Sequence, residues 1–163
     1  MNLIAVFPGS FDPVTNGHMD IIQRTATLFE QVVVLVMKNT AKKGLFSAQQ
    51  RVKLLQQVLA EQKLENVRVL AATDQLTIEA VKQVGGKVIV RGVRNEQDFI
   101  FERDIAELNR QLAPEIETFL LPTKPELAAI SSSYIKEIAQ FGGELSTMVP
   151  TSVAKSLHER FGR

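Results

Sequence analysis

From Pro8 to His18 the chain reads Pro8-Gly9-Ser10-Phe11-Asp12-Pro13-Val14-Thr15-Asn16-Gly17-His18, a loop punctuated by glycine and proline that opens onto a helical pattern. Gly9 is expected to let backbone come close to a ligand. Gly17 leaves free N–H groups and the positive end of a helix dipole facing whatever fills the crevice. His18 falls on the first turn of that helix. A side-chain donor beside such an anion site suits phosphate oxygens better than it suits holding a metal alone. Imidazolium donates at least as well as imidazole, so a pure donor role predicts a rate that survives protonation of His18. Asp12, next to Pro13, is expected to brace the turn by bonding nearby backbone rather than to act as a base.

Two further segments place cations after strands: Asn39-Thr40-Ala41-Lys42-Lys43 and Arg91-Gly92-Val93-Arg94. They stand out in a chain whose 19 Lys and Arg against 18 Asp and Glu leave a net charge of +1. With so little bulk charge an anion must be gripped locally, and no nucleic-acid or membrane partner is expected. Cations beside a glycine-rich helix start form a polyphosphate cradle. Ile130-Ser131-Ser132-Ser133 opens another helix. One serine serves as the N-cap, and the excess over that need points to a second phosphate contact. The absence of cysteine excludes thiolate chemistry and cysteine metal sites, and two histidines are too few for a histidine cage. There is no G-x-G-x-x-G turn, Walker A loop or G-x-S-x-G elbow.

The elements that must position these groups follow from short β-branched runs alternating with helical patterns. Strands are predicted at Leu3 to Phe7, Val32 to Met37, Val67 to Ala71, Val88 to Val90 and Thr118 to Leu121. After the second strand comes a helix with a capping box at Ser47 and Gln50 and an apolar face of Val52, Leu55 and Leu59, ending near Gln62. A short helix from Thr77 to Val84 stops at Gly85-Gly86. Phe101, Ile105, Leu108 and Leu112 mark an amphipathic helix from about Asp98. A helix from Ser131 to Phe141 carries Tyr134, Ile138 and Phe141 on one face. Thr151 is expected to cap a last helix, about 151–161, with Val153, Leu157 and Phe161 inward.

Right-handed crossovers build from this an α/β, doubly wound, Rossmann-like fold: one domain, residues 1–163, with a five-stranded parallel sheet flanked by helices. At 163 residues and 45% hydrophobic content the chain fits one core. Its start, without a basic segment before a long apolar run, predicts a cytoplasmic protein.

GSFDPVTNGH, Lys42-Lys43, RGVR at Arg91 to Arg94 and ISSSYIKE from Ile130 to Glu137 occur in order over nearly the whole chain. Together they resemble the phosphopantetheine adenylyltransferase family, TNGH being similar to its H-x-G-H signature and ISSS-x-x-K to its second signature. The resemblance implies adenylyl transfer from ATP to 4′-phosphopantetheine, giving dephospho-coenzyme A and pyrophosphate, with Mg²⁺ carried on the nucleotide. It implies that Ser10 contacts both substrates, that Phe11 contributes backbone to ATP, and that His18 stabilises the transition state with Lys42 beside it. Lys42, Thr77 and Arg91 fall where the family binds phosphopantetheine. Gly92, Val93, Arg94, Glu102 and the run Leu127, Ala128, Ala129, Ile130, Ser131, Ser132 and Ser133 fall where it binds ATP. A homohexamer is implied as well. Transfer to another phosphorylated acceptor, such as nicotinamide mononucleotide or glycerol phosphate, is the nearest rival, and Lys42 with RGVR argues against it.

Overall fold

Parallel strands are buried on both faces, which is why they read as unbroken apolar runs rather than as alternating ones. The computed structural model describes residues 3–41 and 43–162. Its strands are β1 (Ile4–Gly9), β2 (Gln31–Met37), β3 (Val67–Ala72), β4 (Val88–Val93) and β5 (Glu117–Pro122). They pair in parallel in the order β3-β2-β1-β4-β5. The helices are α1 (Asn16–Leu28), α2 (Ala48–Glu61), α3 (Thr77–Gln83), α4 (Glu96–Leu112), α5 (Ser132–Gln140) and α6 (Thr151–Phe161). This is the doubly wound arrangement expected from the sequence.

The period-two geometry of β2 divides the interior. Val32, Val34 and Val36 face the larger core, built with Ile22 of α1, Leu55 and Val58 of α2, Ile135 of α5, and Val153 and Leu157 of α6. Val33 and Leu35 face the smaller one, with Ile78 and Val81 of α3. Leu55, Ile135, Val153 and Leu157 are fully enclosed. The capping box of Ser47 and Gln50 is present and α2 ends against Gln62 as its cap. Gly85 and Gly142, both at φ 73°, end α3 and α5 in the left-handed region that side chains resist.

Three local expectations change. Thr151 opens α6 but does not cap it, because Pro150 holds the cap position without a side-chain bond. On α5 the core stripe is Ile135 and Ala139, while Tyr134 and Phe141 are 62% and 72% exposed. On α4 the periodic stripe Phe101, Ile105, Leu108 and Leu112 lies outside, and Glu102 is the buried residue. Periodicity identifies an apolar face of a helix but not what covers it.

Pairing of β1 with β2 continues to Gly9 and Val36, whereas pairing of β1 with β4 stops at Val6 and Ile89. The chain reverses its direction of travel across the sheet between these two strands, and their carboxyl ends part to leave a crevice.

Candidate active site

Arg91, in the part of β4 beyond its last pairing with β1, spans the crevice: its Nη1 donates to the carbonyl of Pro8. Two cavities flank it. One, of about 280 Å³, is bounded by His18, Gly92, Arg94, Leu127, Ile130, Ser131 and Ser132. The other, of about 460 Å³, is bounded by Met37, Lys38, Thr77, Ile89, Phe101 and Asn109. Pro8, Gly9, Ser10, Arg91 and Glu102 border both. The wall between them is therefore the segment carrying Ser10 together with one guanidinium.

His18 enters the smaller cavity from the first turn of α1. Thr15 is the N-cap: its Oγ1 accepts from the N–H of His18 at 3.3 Å, and its own N–H donates to Nδ1 of His18 at 3.0 Å. Nδ1 is thus an acceptor, and Nε2 is the nitrogen left to donate to a ligand. Phe11, at φ 48° and 2% exposed, holds the ring edge-on at 5.0 Å. Burial, aided by the charges of Arg91 and Arg94, pushes the imidazole down to about 4. His18 is therefore neutral near pH 7, and an imidazolium would put a proton on the nitrogen the cap already fills. The expectation that protonation leaves the rate unharmed is revised accordingly. Gly9 borders both cavities, and a Cβ there would also lie 3.0 Å from the Phe11 ring.

Both arginines of RGVR are paired. Arg91 Nε and Nη2 donate to Glu102 at 2.9 and 2.7 Å. Arg94 Nε donates to Asp98 at 2.8 Å, and that bond holds the Asp98 carboxyl below the usual range. Asp12 bonds backbone, but not that of its own turn: it ties the first loop to the segment before α2, accepting from the N–H groups of Leu45 and Phe46 at 2.8 and 2.9 Å, and also accepts from Lys136 Nζ at 3.3 Å. Asp20 takes Arg24 at 3.0 Å and Lys124 at 3.1 Å, which ties α1 to the segment after β5.

In the second signature Ser131 is the N-cap, accepting from Tyr134 N–H at 3.2 Å, and the Ser132 hydroxyl donates to Pro13 carbonyl at 2.8 Å. Ala128, Ala129 and Val93 do not line the smaller cavity. Val93 instead accepts from Thr123 N–H at 2.8 Å and fixes the start of that segment. Ser133 borders a third cavity of about 690 Å³ with Ser10, Asp12 and Lys43. Lys42 lies outside the described residues. Sequence reasoning passed over Leu76, Phe101, Ile105 and Asn109, which bound the larger cavity. For Phe101 and Ile105 the signal was the α4 stripe, whose apolar repeat looks the same whether it meets a core or a ligand; Leu76 and Asn109 carried none.

Residues 6–138 match the family described as cytidylyltransferase-like. A solved structure from Vibrio parahaemolyticus, assigned as a nicotinate-nucleotide adenylyltransferase, shares the fold at TM-score 0.72 and 18% identity, covering 98% of this chain and 93% of that one. The class is therefore that of the cytidylyltransferase-like nucleotidyltransferases. The chain is also 47% identical over 156 residues to the phosphopantetheine adenylyltransferase of Lactobacillus johnsonii, covering 96% of this chain and 93% of that one. With the corresponding protein of Lactiplantibacillus plantarum it shares 49% over 158 residues, covering 97% and 95%. Within its class the chain belongs to the phosphopantetheine adenylyltransferase family.

Proposed function

We infer that this protein transfers the adenylyl group of ATP to the phosphate of 4′-phosphopantetheine, forming dephospho-coenzyme A and pyrophosphate in coenzyme A biosynthesis. The observation that carries the reading is the pair of cavities meeting at Ser10 and Arg91, with His18 facing one of them. A nucleotide in the smaller cavity and a phosphorylated acceptor in the larger would bring their phosphates together at that shared wall. An acceptor oxygen attacks the α-phosphorus, a new P–O bond forms, and the bond to the bridging oxygen of the β-phosphate breaks as pyrophosphate leaves. The attacking phosphate is already anionic, so no proton has to be removed.

Charge that builds on the α-phosphoryl oxygens is met by the Nε2–H of neutral His18, positioned before the reaction by its cap. Arg91 and Lys42 are assigned to the acceptor phosphate, Thr77 to the acceptor, and Arg94 with the N-terminal serines of α5 to the nucleotide. The exposed Arg94–Asp98 pair is worth little in water, so Arg94 is free to exchange its carboxylate for a phosphate. Glu102, which borders both cavities, holds Arg91 through two hydrogen bonds.

Magnesium enters with the nucleotide and shields its phosphate charge. Among the described residues no three His, Asp or Glu side chains gather to hold an ion, and Glu102 and Asp98 are committed to arginines. That donor set fits an ion carried by phosphates. No described helix is long and apolar enough to cross a membrane. We place the protein in the cytoplasm, acting on small molecules and assembled as a homohexamer. The uncovered stripe of α4, with Phe101, Leu108 and Leu112 at 55–62% exposure, supports the assembly.

The test uses 4′-phosphopantetheine labelled with ¹⁸O in its phosphate and MgATP. The expected product is dephospho-coenzyme A retaining the full label, with one unlabelled pyrophosphate per turnover. Label in pyrophosphate, or a product carrying a different part of ATP, overturns the reading.

A further inference from the structure

Thr15 stands where the H-x-G-H signature has its first histidine; it lines the smaller cavity, and there both its N–H and its hydroxyl engage His18. It is 2% exposed. Its N–H reaches Nδ1 at 3.0 Å and its Oγ1 lies 3.2 Å from the same nitrogen. Because the N–H makes Nδ1 an acceptor, the hydroxyl can only donate to it, while Oγ1 accepts from the His18 N–H. A capping box normally carries Glu or Gln at its third helical position. Here the reaction's donor fills that place, so closing the helix and fixing the imidazole are one interaction.

We propose that Thr15 is a positioning residue for adenylyl transfer, selecting the Nε2–H tautomer of His18 and holding that donor toward the α-phosphate. The proposal rests on the function inferred above only for its kinetic arm. The charged groups that face the imidazole are Arg91 and Arg94, at the end of β4 and just after it, with Glu102 of α4 tied to Arg91. These oppose a proton on the ring, but they do not choose between its two nitrogens. Thr15 does. Phe7 and Phe11 confine the ring by packing and offer it no hydrogen bond.

The experiment is ¹⁵N NMR of the imidazole in the full chain without substrates, for the parent, Thr15→Val and Thr15→Ser, joined to kcat and KM for each. The parent should show an unprotonated Nδ1 and a protonated Nε2 at pH 7. Thr15→Val keeps the backbone N–H that makes Nδ1 an acceptor, so it should keep the parental tautomer but lose the hydroxyl's hold on the ring, and should lower kcat by about tenfold or more, with KM for MgATP within about twofold. Thr15→Ser should keep the parental ring pattern and most of kcat. A Thr15→Val protein with the parental kcat but a lower Tm would reduce Thr15 to a helix cap and overturn the proposal. A rise confined to KM for ATP would mean that Thr15 touches the nucleotide, and would overturn it too. If Thr15→Val does not fold, the parent spectrum decides, because a protonated Nδ1 there contradicts the assignment. Should the ring pattern hold in a protein that makes no dephospho-coenzyme A, the function fails and the tautomer assignment stands.

Discussion

Arg91 and Glu102 meet through two parallel hydrogen bonds, of 2.9 and 2.7 Å, where β4 leaves its partner β1. Glu102 is the buried residue of α4, so the carboxylate is sheltered while one face of the guanidinium remains open to the cavities. Arg91 also reaches the Pro8 carbonyl. Three of its donor positions are thus committed before any substrate arrives, and the group is held rigid where both cavities adjoin.

Removing either partner leaves the other uncompensated in a sheltered place, which costs roughly 3 kcal/mol for a buried pair. Arg91→Ala and Glu102→Ala are each expected to lower stability and to raise KM for the acceptor by about one to two decades. In the double variant the losses should fall short of the sum by about 1 to 3 kcal/mol, read from urea unfolding and steady-state kinetics. Strict additivity would show that the pair does not act as a unit.

His18→Ala is expected to lose at least about 10² in kcat, the size typical for one donor of about 2.7 to 4 kcal/mol that acts on the transition state. Calorimetry should find ATP and phosphopantetheine bound nearly as well as by the parent. A variant that no longer binds ATP would move His18 from the transition state to the ground state.

Stability should depend on His18 with a definite sign. Its folded value of about 4 lies below the unfolded 6.5, so between those values the unfolded chain binds the extra proton and stability falls as pH falls. At about 1.4 kcal/mol per pKa unit the loss is on the order of 2 kcal/mol from pH 7 to pH 5. His18→Gln should lose correspondingly less in denaturant titrations at the two pH values. Equal losses in both proteins would show that the ring is not held neutral.

Light scattering should give a mass near six times the 18.1 kDa chain. Leu108→Glu, on the outer face of α4 and 55% exposed, should give smaller species with the fold intact by circular dichroism. A monomeric parent at micromolar concentration contradicts the assembly.

The sheet was legible because parallel strands bury both faces, so Val32 to Met37 announces itself by composition alone. The first loop was legible because Gly17 and His18 keep their meaning whatever surrounds them. Glu102 and Arg91 are eleven positions apart on different elements, and their meeting depends on where α4 docks, which no local pattern encodes. The outward Tyr134 and Phe141 fail for the same reason, since an apolar stripe does not name its partner. The Thr15–His18 bond is local, but the capping-box template expects Glu or Gln at the third position and passes over histidine. Seeing that bond changes the chemistry, turning a donor indifferent to protonation into one that needs Nδ1 unprotonated.

The most direct test of the account compares acceptors. With MgATP, kcat/KM is measured for 4′-phosphopantetheine, nicotinamide mononucleotide and glycerol phosphate, each product being identified by mass. The account predicts dephospho-coenzyme A as the efficient product, with the other two acceptors slower by at least about 10³, a difference on the order of 4 kcal/mol in transition-state binding. Comparable or faster adenylyl transfer to either of the others, or no dephospho-coenzyme A at all, would contradict it.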